Sequence, residues 1–225
     1  MEDRHTSTDA IREQLMAAVT SLDGVGVRRA FDRSLQAHGV EDTVVDVAVP
    51  VLHEVGLGWQ SGRLGVVHEH FASTTFRGVL TELRAPVPDR RDRTVVLGCP
   101  PRELHDLPLE LFGAMLHARR WRTVSLGANT PIAALAEAVR FLQADACVLA
   151  GVRPAAFASR GPSLARLGGS VPLFLAGQGA LALIEPPLGV VVLPADFRAA
   201  AHVVDQVPIS TDRADALHSA SSGIR

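Results

Sequence analysis

Short apolar runs alternate with amphipathic helical patterns after residue 93, and this alternation constrains the fold more than any other feature of the chain. The predicted strands are apolar and rich in β-branched residues, as buried parallel strands are; they lie at 94–98, 123–126, 146–150, 173–176 and 190–193. Helical patterns lie at 109–120, 132–143, 154–167, 179–184 and 196–204. Strands that alternate with helices predict a doubly wound, flavodoxin- or Rossmann-like sheet of five parallel strands, with helices on both faces.

The residues before this region have helical periodicity instead. A first helix is predicted with Asp9 as its N-cap and with Gly24 and Gly26 at its end. Three further helices are predicted at 27–37, 40–57 and 66–84. Four helices with short connections predict a small bundle.

The predicted fold class is therefore α/β, with an N-terminal four-helix bundle as a cap. The predicted order is a helical cap domain at 9–85, a linker rich in proline and charge at 86–93, an α/β domain at 94–205 and a flexible polar tail at 206–225.

Charge is nearly balanced along the chain. Among 225 residues there are 22 Lys and Arg and 24 Asp and Glu, for a net charge of -2. No basic cluster is present, so direct binding to nucleic acid is disfavoured. No apolar run approaches the roughly 18 residues that a membrane span needs, and the charged N-terminus does not resemble a signal peptide. These features predict a cytoplasmic protein that is not bound to a membrane.

Glycines follow the ends of the later predicted strands. Gly127 follows the second, Gly151 the third, and Gly177 and Gly179 the fourth. No GxGxxG or P-loop signature is present, so common nucleotide sites lose their main support. Because open α/β sheets bind ligands at the carboxyl ends of their strands, we expect these glycines to let a large ligand approach the backbone in a deep slot.

An acid and a histidine, Glu103 and His105, lie on the loop after the first predicted strand. They are either a solvated surface histidine beside a capping acid, or a metal-binding imidazole that the carboxylate orients. No second cluster of metal ligands accompanies them. A metal here is therefore expected to arrive in a cofactor that needs one axial imidazole.

A second group is formed by Trp59, Glu69 and His70, which flank a glycine-rich turn. They are either a core tryptophan beside an exposed charge pair, or an aromatic plane, a carboxylate and an imidazole at one end of the bundle.

Several of these segments resemble one protein family. Residues 103–108, Glu-Leu-His-Asp-Leu-Pro, are similar to the (Asp/Glu)-x-His-x-x-Gly motif of cobalamin-binding α/β domains, and Ala-Gly-Gln-Gly-Ala at 176–180 resembles their paired glycine. The Trp-x9-Glu-His pattern at 59–70 resembles the cap of adenosylcobalamin-dependent, CarH-type photoreceptors, and residues 120–131 resemble their second strand. Three positions depart from the family: Pro108 replaces glycine, Ala150 replaces serine and Gln60 replaces a histidine that binds cobalt after photolysis.

The resemblance implies a bound cobalamin, with adenosylcobalamin as the first choice, and His105 as the lower axial ligand of cobalt in place of the cofactor's own benzimidazole. The other cofactor-binding residues that it implies are Trp59, Gln60, Val66, Glu69, His70, Glu103, Asp106, Ser125, Leu126, Gly127, Ala150, Gly151, Val152, Gly177, Gln178 and Gly179.

The function that it implies is light sensing and signalling in transcription regulation, without enzymatic activity. The cap and the α/β domain would enclose the cofactor, and loss of its upper ligand would change a cap or oligomer interface. A second copy or a separate regulatory protein would read that change, because the family's MerR-type DNA-binding domain does not precede this cap. Three alternatives stay open: a methyl-carrying corrinoid protein of a methyltransferase system, a cobalamin carrier, and an α/β domain that binds another ligand.

Overall fold

Residues 2–84 and 93–208 are described by the structure, a computed structural model, with side chains from residue 8 onward. They divide into two units. The helical unit contains the described residues up to 84 together with Glu110–Ala118, and the α/β unit contains 93–109 and 119–208.

Four α-helices and one π-helical segment make up the chain up to residue 84. The α-helices are α1 (Glu2–Thr20), α2 (Gly24–Asp42), α3 (Val49–Gln60) and α4 (Val66–Leu83), and the π-helical segment is Thr43–Ala48. The prediction of a helical N-terminal region is confirmed, although several helix ends differ from the predicted ones.

The first two helices meet at a different point from the predicted one. Asp9 lies inside α1, where it pairs with Arg12 at 3.0 Å, so it is not the N-cap. Gly24 and Gly26 begin α2 and do not end α1. The true N-cap of α2 is Asp23, whose Oδ1 accepts a hydrogen bond from the Gly26 N–H at 2.9 Å.

The predicted break at Gly39 is a kink inside α2. Gly39 has φ of 76°, a left-handed conformation that glycine adopts without strain. The helix continues to Asp42 and runs on through the π-helical segment. Pro50 stands in the first turn of α3, and because it has no N–H it cannot donate to the Asp46 carbonyl one turn earlier. That carbonyl accepts from the Arg12 side chain instead.

The core of the helical unit contains one face of each helix. Phe31 and Phe76 form its centre, with ring centroids 4.8 Å apart and an edge-to-face arrangement. Val67, in the first turn of α4, is apolar but 52% exposed. Ala72, Phe76, Val79 and Leu80 are the buried residues of that helix.

Five parallel strands form the sheet of the α/β unit in the order β2-β1-β3-β4-β5. The strands are β1 (Arg93–Gly98), β2 (Trp121–Ser125), β3 (Ala146–Ala150), β4 (Leu173–Ala176) and β5 (Val190–Val192). The remaining helices are α5 (Leu107–Ala118), α6 (Ile132–Leu142), α7 (Ala155–Ala158), α8 (Gly161–Gly168), α9 (Gln178–Leu181) and α10 (Phe197–Asp205). The predicted doubly wound parallel sheet is confirmed. The strands remain parallel, but the order in which the chain adds them to the sheet reverses between β1 and β3, the position where such sheets bind ligands.

The predicted linker and tail each overlap the folded α/β unit. Arg93, the last linker residue, begins β1, and its guanidinium lies 4.3 Å from the Trp121 ring centroid. Val207, inside the predicted tail, is buried, and its carbonyl accepts from Arg93 at 3.0 Å. Residues 86–92 and 209–225 lie outside the described residues.

Two further findings concern the membrane and the cysteines. Within residues 2–84 and 93–208, no helix is long and apolar enough to cross a membrane. Cys99 and Cys147 are both buried, and neither forms a disulfide. Burial raises the pKa of the Cys147 thiol to about 12, so this cysteine is a packing residue and not a nucleophile.

Candidate functional site

The loop after β1, residues 99–106, carries both Glu103 and His105, and we call it the histidine loop. It leaves the carboxyl end of β1, a central strand, at the point where the order of strand addition reverses. Glu103 is 1% exposed, whereas the His105 side chain is 63% exposed. The acid is therefore part of the folded interior, and the imidazole is presented outward.

Three N–H groups converge on the Glu103 carboxylate. Its Oε1 accepts from the His105 backbone N–H at 3.0 Å and lies 2.7 Å from His105 Nδ1. Its Oε2 accepts from the Val152 backbone N–H at 2.9 Å. Burial acts to raise the pKa of Glu103, but the His105 and Val152 N–H groups and the His105 imidazole oppose it and lower the pKa below its ordinary value.

This arrangement leaves the imidazole ready to bind a metal. Because a carboxylate accepts and does not donate, Nδ1 of His105 carries the proton and Nε2 has the free lone pair. In the described part of the chain, no group of three His, Cys, Asp or Glu side chains could hold a metal ion. The donor set thus fits a cofactor that brings its own metal and lacks one axial imidazole.

The loop after β2 lies next to the histidine loop. Gly127 has φ of 74°, and a Cβ at this position would stand 3.7 Å from Oδ2 of the buried Asp106. Ser125 Oγ accepts from the Gly127 N–H at 3.3 Å, and Leu126 is 37% exposed. The structure therefore brings these predicted site residues together with the histidine loop.

The glycines after β3 and β4 have a structural role that we did not expect. A Cβ on Gly177 would stand 2.7 Å from the carbonyl oxygen of Gly151, and a Cβ on Gly179 would stand 2.6 Å from the Arg153 carbonyl. The Gly179 N–H also donates to the Gly151 carbonyl at 2.9 Å. These glycines let two loops of the protein approach each other, so their spacing alone does not indicate a ligand slot. Ala150 is buried, whereas Val152 and Gln178 are exposed.

Substitution of Gly177 tests this packing. We expect Gly177→Ala to lower the free energy of unfolding more than Gly189→Ala. Both residues have positive φ, but of the two only Gly177 has a neighbouring backbone atom, the Gly151 carbonyl oxygen, within contact distance of an added Cβ. Gly189→Ala is expected to cost about 1–2 kcal/mol for the left-handed backbone, and Gly177→Ala a further 1–3 kcal/mol, roughly, for overpacking. Urea unfolding of both variants measures the difference, and equal losses would contradict the close contact.

The residues predicted in the cap lie at one end of the helical unit. Trp59 and Gln60 end α3, and Val66 begins α4. The turn between the two helices is held by the Leu64 N–H, which donates to the Gly58 carbonyl at 3.0 Å. Trp59 is 50% exposed and Val66 55% exposed. Trp59 is therefore not a core residue.

Glu69 and His70 form a pair on α4. His70 Nδ1 lies 2.5 Å from one carboxylate oxygen of Glu69, and the Ser73 hydroxyl donates to the other at 2.9 Å. His68, the third polar residue of this turn, accepts from the Gly65 N–H through Nδ1 at 3.1 Å and so caps the helix.

Two residues that contact the histidine loop escaped the sequence analysis. Asn129 donates from its backbone to the Glu103 carbonyl and accepts from the Arg102 N–H, both at 2.8 Å. Arg160 donates to the Pro101 carbonyl at 3.0 Å. Asn129 lies two residues after Gly127, within the 120–131 segment that resembles the family's second strand, but that resemblance does not single it out. Nothing near Arg160 in sequence indicates its partner.

Comparison with known proteins identifies relatives of both units. Residues 11–84 match the B12 binding domain family. CarA of Myxococcus xanthus, an HTH-type transcriptional repressor, is 32% identical over 176 residues, which are 76% of this chain and 59% of CarA. CarH of the same organism, also an HTH-type transcriptional repressor, is 34% identical over 146 residues, which are 64% of this chain and 48% of CarH. The chain thus spans about half the length of these relatives.

The fold has a counterpart among solved structures. The monomethylamine corrinoid protein of Methanosarcina barkeri aligns with a TM-score of 0.69 and 16% identity, over 89% of this chain and 99% of that one. At this identity the likeness concerns the fold alone.

Proposed function

We propose that this chain, which carries a B12 binding domain and is related to the repressors CarA and CarH, binds adenosylcobalamin and senses light through it. The observation that carries the proposal is the Glu103–His105 pair after the carboxyl end of β1, where parallel sheets of this kind bind ligands. A buried carboxylate held by three N–H groups orients one exposed imidazole. That is the donor that a cobalamin without its own lower base requires.

His105 would bind cobalt through Nε2, with its proton held on Nδ1. Glu103 would keep the ring in this tautomer and raise the basicity of Nε2. Because Glu103 also accepts from Val152, the loop after β3 would help to fix the ring. The exposed residues after the neighbouring strands, Leu126, Val152 and Gln178, are our candidates for contacts to the rest of the cofactor, together with Ser125, Gly127 and Asp106.

Trp59, Glu69, His70 and Val66 are our candidates for the upper face of the cofactor. The half-exposed indole of Trp59 offers an aromatic plane, and the Glu69–His70 pair offers hydrogen bonds. Adenosylcobalamin supplies a cobalt–carbon bond that light can break. The cap residues would then lose a contact, and the resulting change in the cap or in an oligomer interface would be read by a second copy or by a partner protein.

Gln60 sets this chain apart from the light sensors that it resembles. An amide is a weaker ligand for cobalt than an imidazole. His68 is engaged as a helix cap, so it is poorly placed to substitute. We therefore expect neither Gln60 nor His68 to bind cobalt after illumination.

Gel filtration in darkness and in light tests the proposal. The protein is mixed with adenosylcobalamin in darkness, filtered, illuminated and filtered again, with methylcobalamin as a parallel sample. We expect retained colour in darkness and, after light, a shift in elution volume that protein without cofactor does not undergo. Trp59→Ala is expected to abolish the shift but to leave cofactor in place.

Other outcomes would identify other functions. Retained colour with no change in elution volume, and no spectral change beyond the photolysis of free adenosylcobalamin, would contradict light sensing and favour a cobalamin carrier. Preferential retention of methylcobalamin would favour a methyl-carrying corrinoid protein. No retained colour with any cobalamin would contradict the proposal as a whole.

A further inference from the structure

Asn129 holds the histidine loop from the neighbouring loop after β2. Its backbone N–H donates to the Glu103 carbonyl, and its Oδ1 accepts from the Arg102 backbone N–H, each at 2.8 Å. The two hydrogen bonds are made to consecutive residues, Arg102 and Glu103, so they restrict both the position and the rotation of this part of the loop.

The local conformation requires a residue of this type. Asn129 has φ of 53° and Arg102 φ of 69°, a left-handed region that few residues other than glycine tolerate. Asparagine is among those that do, and its short amide places an acceptor close to the backbone. Alanine at position 129 would keep the backbone bond to Glu103 but would leave the Arg102 N–H without this acceptor.

The hydrogen bonds of Asn129 affect the His105 imidazole through Glu103. Arg102 directly precedes Glu103, and Oε1 of Glu103 lies within hydrogen-bond distance of both the backbone N–H and the Nδ1 of His105. A rotation at Arg102–Glu103 would therefore reorient the His105 ring. Asn129 is itself exposed, so water can replace its amide as an acceptor, and its loss would affect the orientation of the loop more than the stability of the fold.

We infer that Asn129 is a positioning residue for His105: it orients the imidazole toward cobalt without contacting the cofactor. The inference rests on the proposed cobalamin binding. Arg160, which donates to the Pro101 carbonyl at 3.0 Å, holds the start of the same loop and would keep it folded when Asn129 is replaced.

Three variants test the inference. Asn129→Ala removes the acceptor for the Arg102 N–H. Gln143→Ala is the matched control, because Gln143 also has a left-handed backbone, with φ of 48°, at the end of α6. Asn129→Asp keeps an oxygen acceptor in a residue that tolerates this backbone and is expected to restore the wild-type behaviour.

Three measurements are made on each variant. Amide hydrogen exchange of Arg102 and His105 without cofactor measures how well these N–H groups of the loop are protected. Titration with adenosylcobalamin in darkness measures the binding affinity. The fraction of bound cob(II)alamin that carries a histidine nitrogen, read from its EPR spectrum, reports ligation. We expect Asn129→Ala alone to speed exchange and weaken binding about fivefold, the effect of one hydrogen bond, and to lower the histidine-ligated fraction.

Asn129→Ala behaving like Gln143→Ala in binding and ligation would overturn the inference, even if loop exchange were faster. If wild-type protein binds no cobalamin, the proposed function fails first. The two failures are distinguishable, because the second is seen in the wild-type titration alone.

Discussion

Replacement of His105 by alanine is expected to weaken cobalamin binding by about 100-fold or more, because losing the proposed ligand should cost at least as much as losing a residue that orients a metal ligand, about 10–100-fold. The side chain is 63% exposed and contacts the rest of the protein mainly through Glu103. Its removal would therefore take away the proposed cobalt ligand and leave the packing of the sheet intact. We expect the free energy of unfolding without cofactor to fall by no more than about 1 kcal/mol.

Titration with adenosylcobalamin in darkness measures the affinity, and His202→Ala is the matched control. His202 is an exposed histidine on α10 of the same unit, so its loss changes charge and composition equally. Unchanged affinity and an unchanged absorption spectrum of bound cobalamin in His105→Ala would show that the axial assignment is wrong.

Replacement of Glu103 by glutamine is expected to destabilise the α/β unit by about 2 kcal/mol at neutral pH. The carboxylate oxygens face three N–H groups, two from His105 and one from Val152. An amide can offer oxygen to one side only, so its NH2 group would face another donor. Cobalamin binding is expected to weaken as well, because the imidazole loses the partner that holds its tautomer.

The stability lost in Glu103→Gln is expected to depend on pH, and the pKa of Glu103 determines the direction of that dependence. The pKa is lower in the folded chain than its ordinary value of 4.5. Folding therefore gains from the ionised carboxylate above pH 4.5, and this gain disappears as the pH falls through the folded-state pKa. The stability difference between wild type and Glu103→Gln should thus be largest near neutral pH and shrink in acid.

Urea unfolding at several pH values measures this difference. A Trp59→Phe background lets the buried Trp121 report the α/β unit alone, and Glu137→Gln, an exposed change on α6, is the control. A stability difference that stays constant from neutral to acid pH would contradict the assigned role of the ionised carboxylate.

The sheet could be predicted closely because buried parallel strands are continuous apolar runs. The predicted bounds of β3 and β4 equal the observed ones. The buried face of α4 is harder to predict from the sequence, because the helix begins with two apolar residues, Val66 and Val67, that remain exposed. Helical periodicity locates an apolar stripe, but it does not tell which of two candidate stripes another helix covers.

The site divides in the same way between local and distant contacts. Glu103 and His105 are two residues apart, so their pairing could be expected from the loop alone. Val152 donates to Glu103 from 49 residues away, and Asn129 holds Arg102 from 27 residues away. Such contacts depend on which strands become neighbours. The glycines at 177 and 179 were located correctly, but the backbone that approaches them could not be predicted from their own segment.

In the proposed complex, a histidine of this protein replaces the cofactor's own base on cobalt. EPR spectroscopy of bound cob(II)alamin tests it most directly, with protein whose histidines carry the heavy nitrogen isotope. We predict that the splitting from the axial nitrogen changes from a triplet in unlabelled protein to a doublet in labelled protein, and that His105→Ala loses the doublet. A triplet that persists in labelled protein would mean that the cofactor keeps its own base, and the assignment of His105 as the cobalt ligand would be wrong.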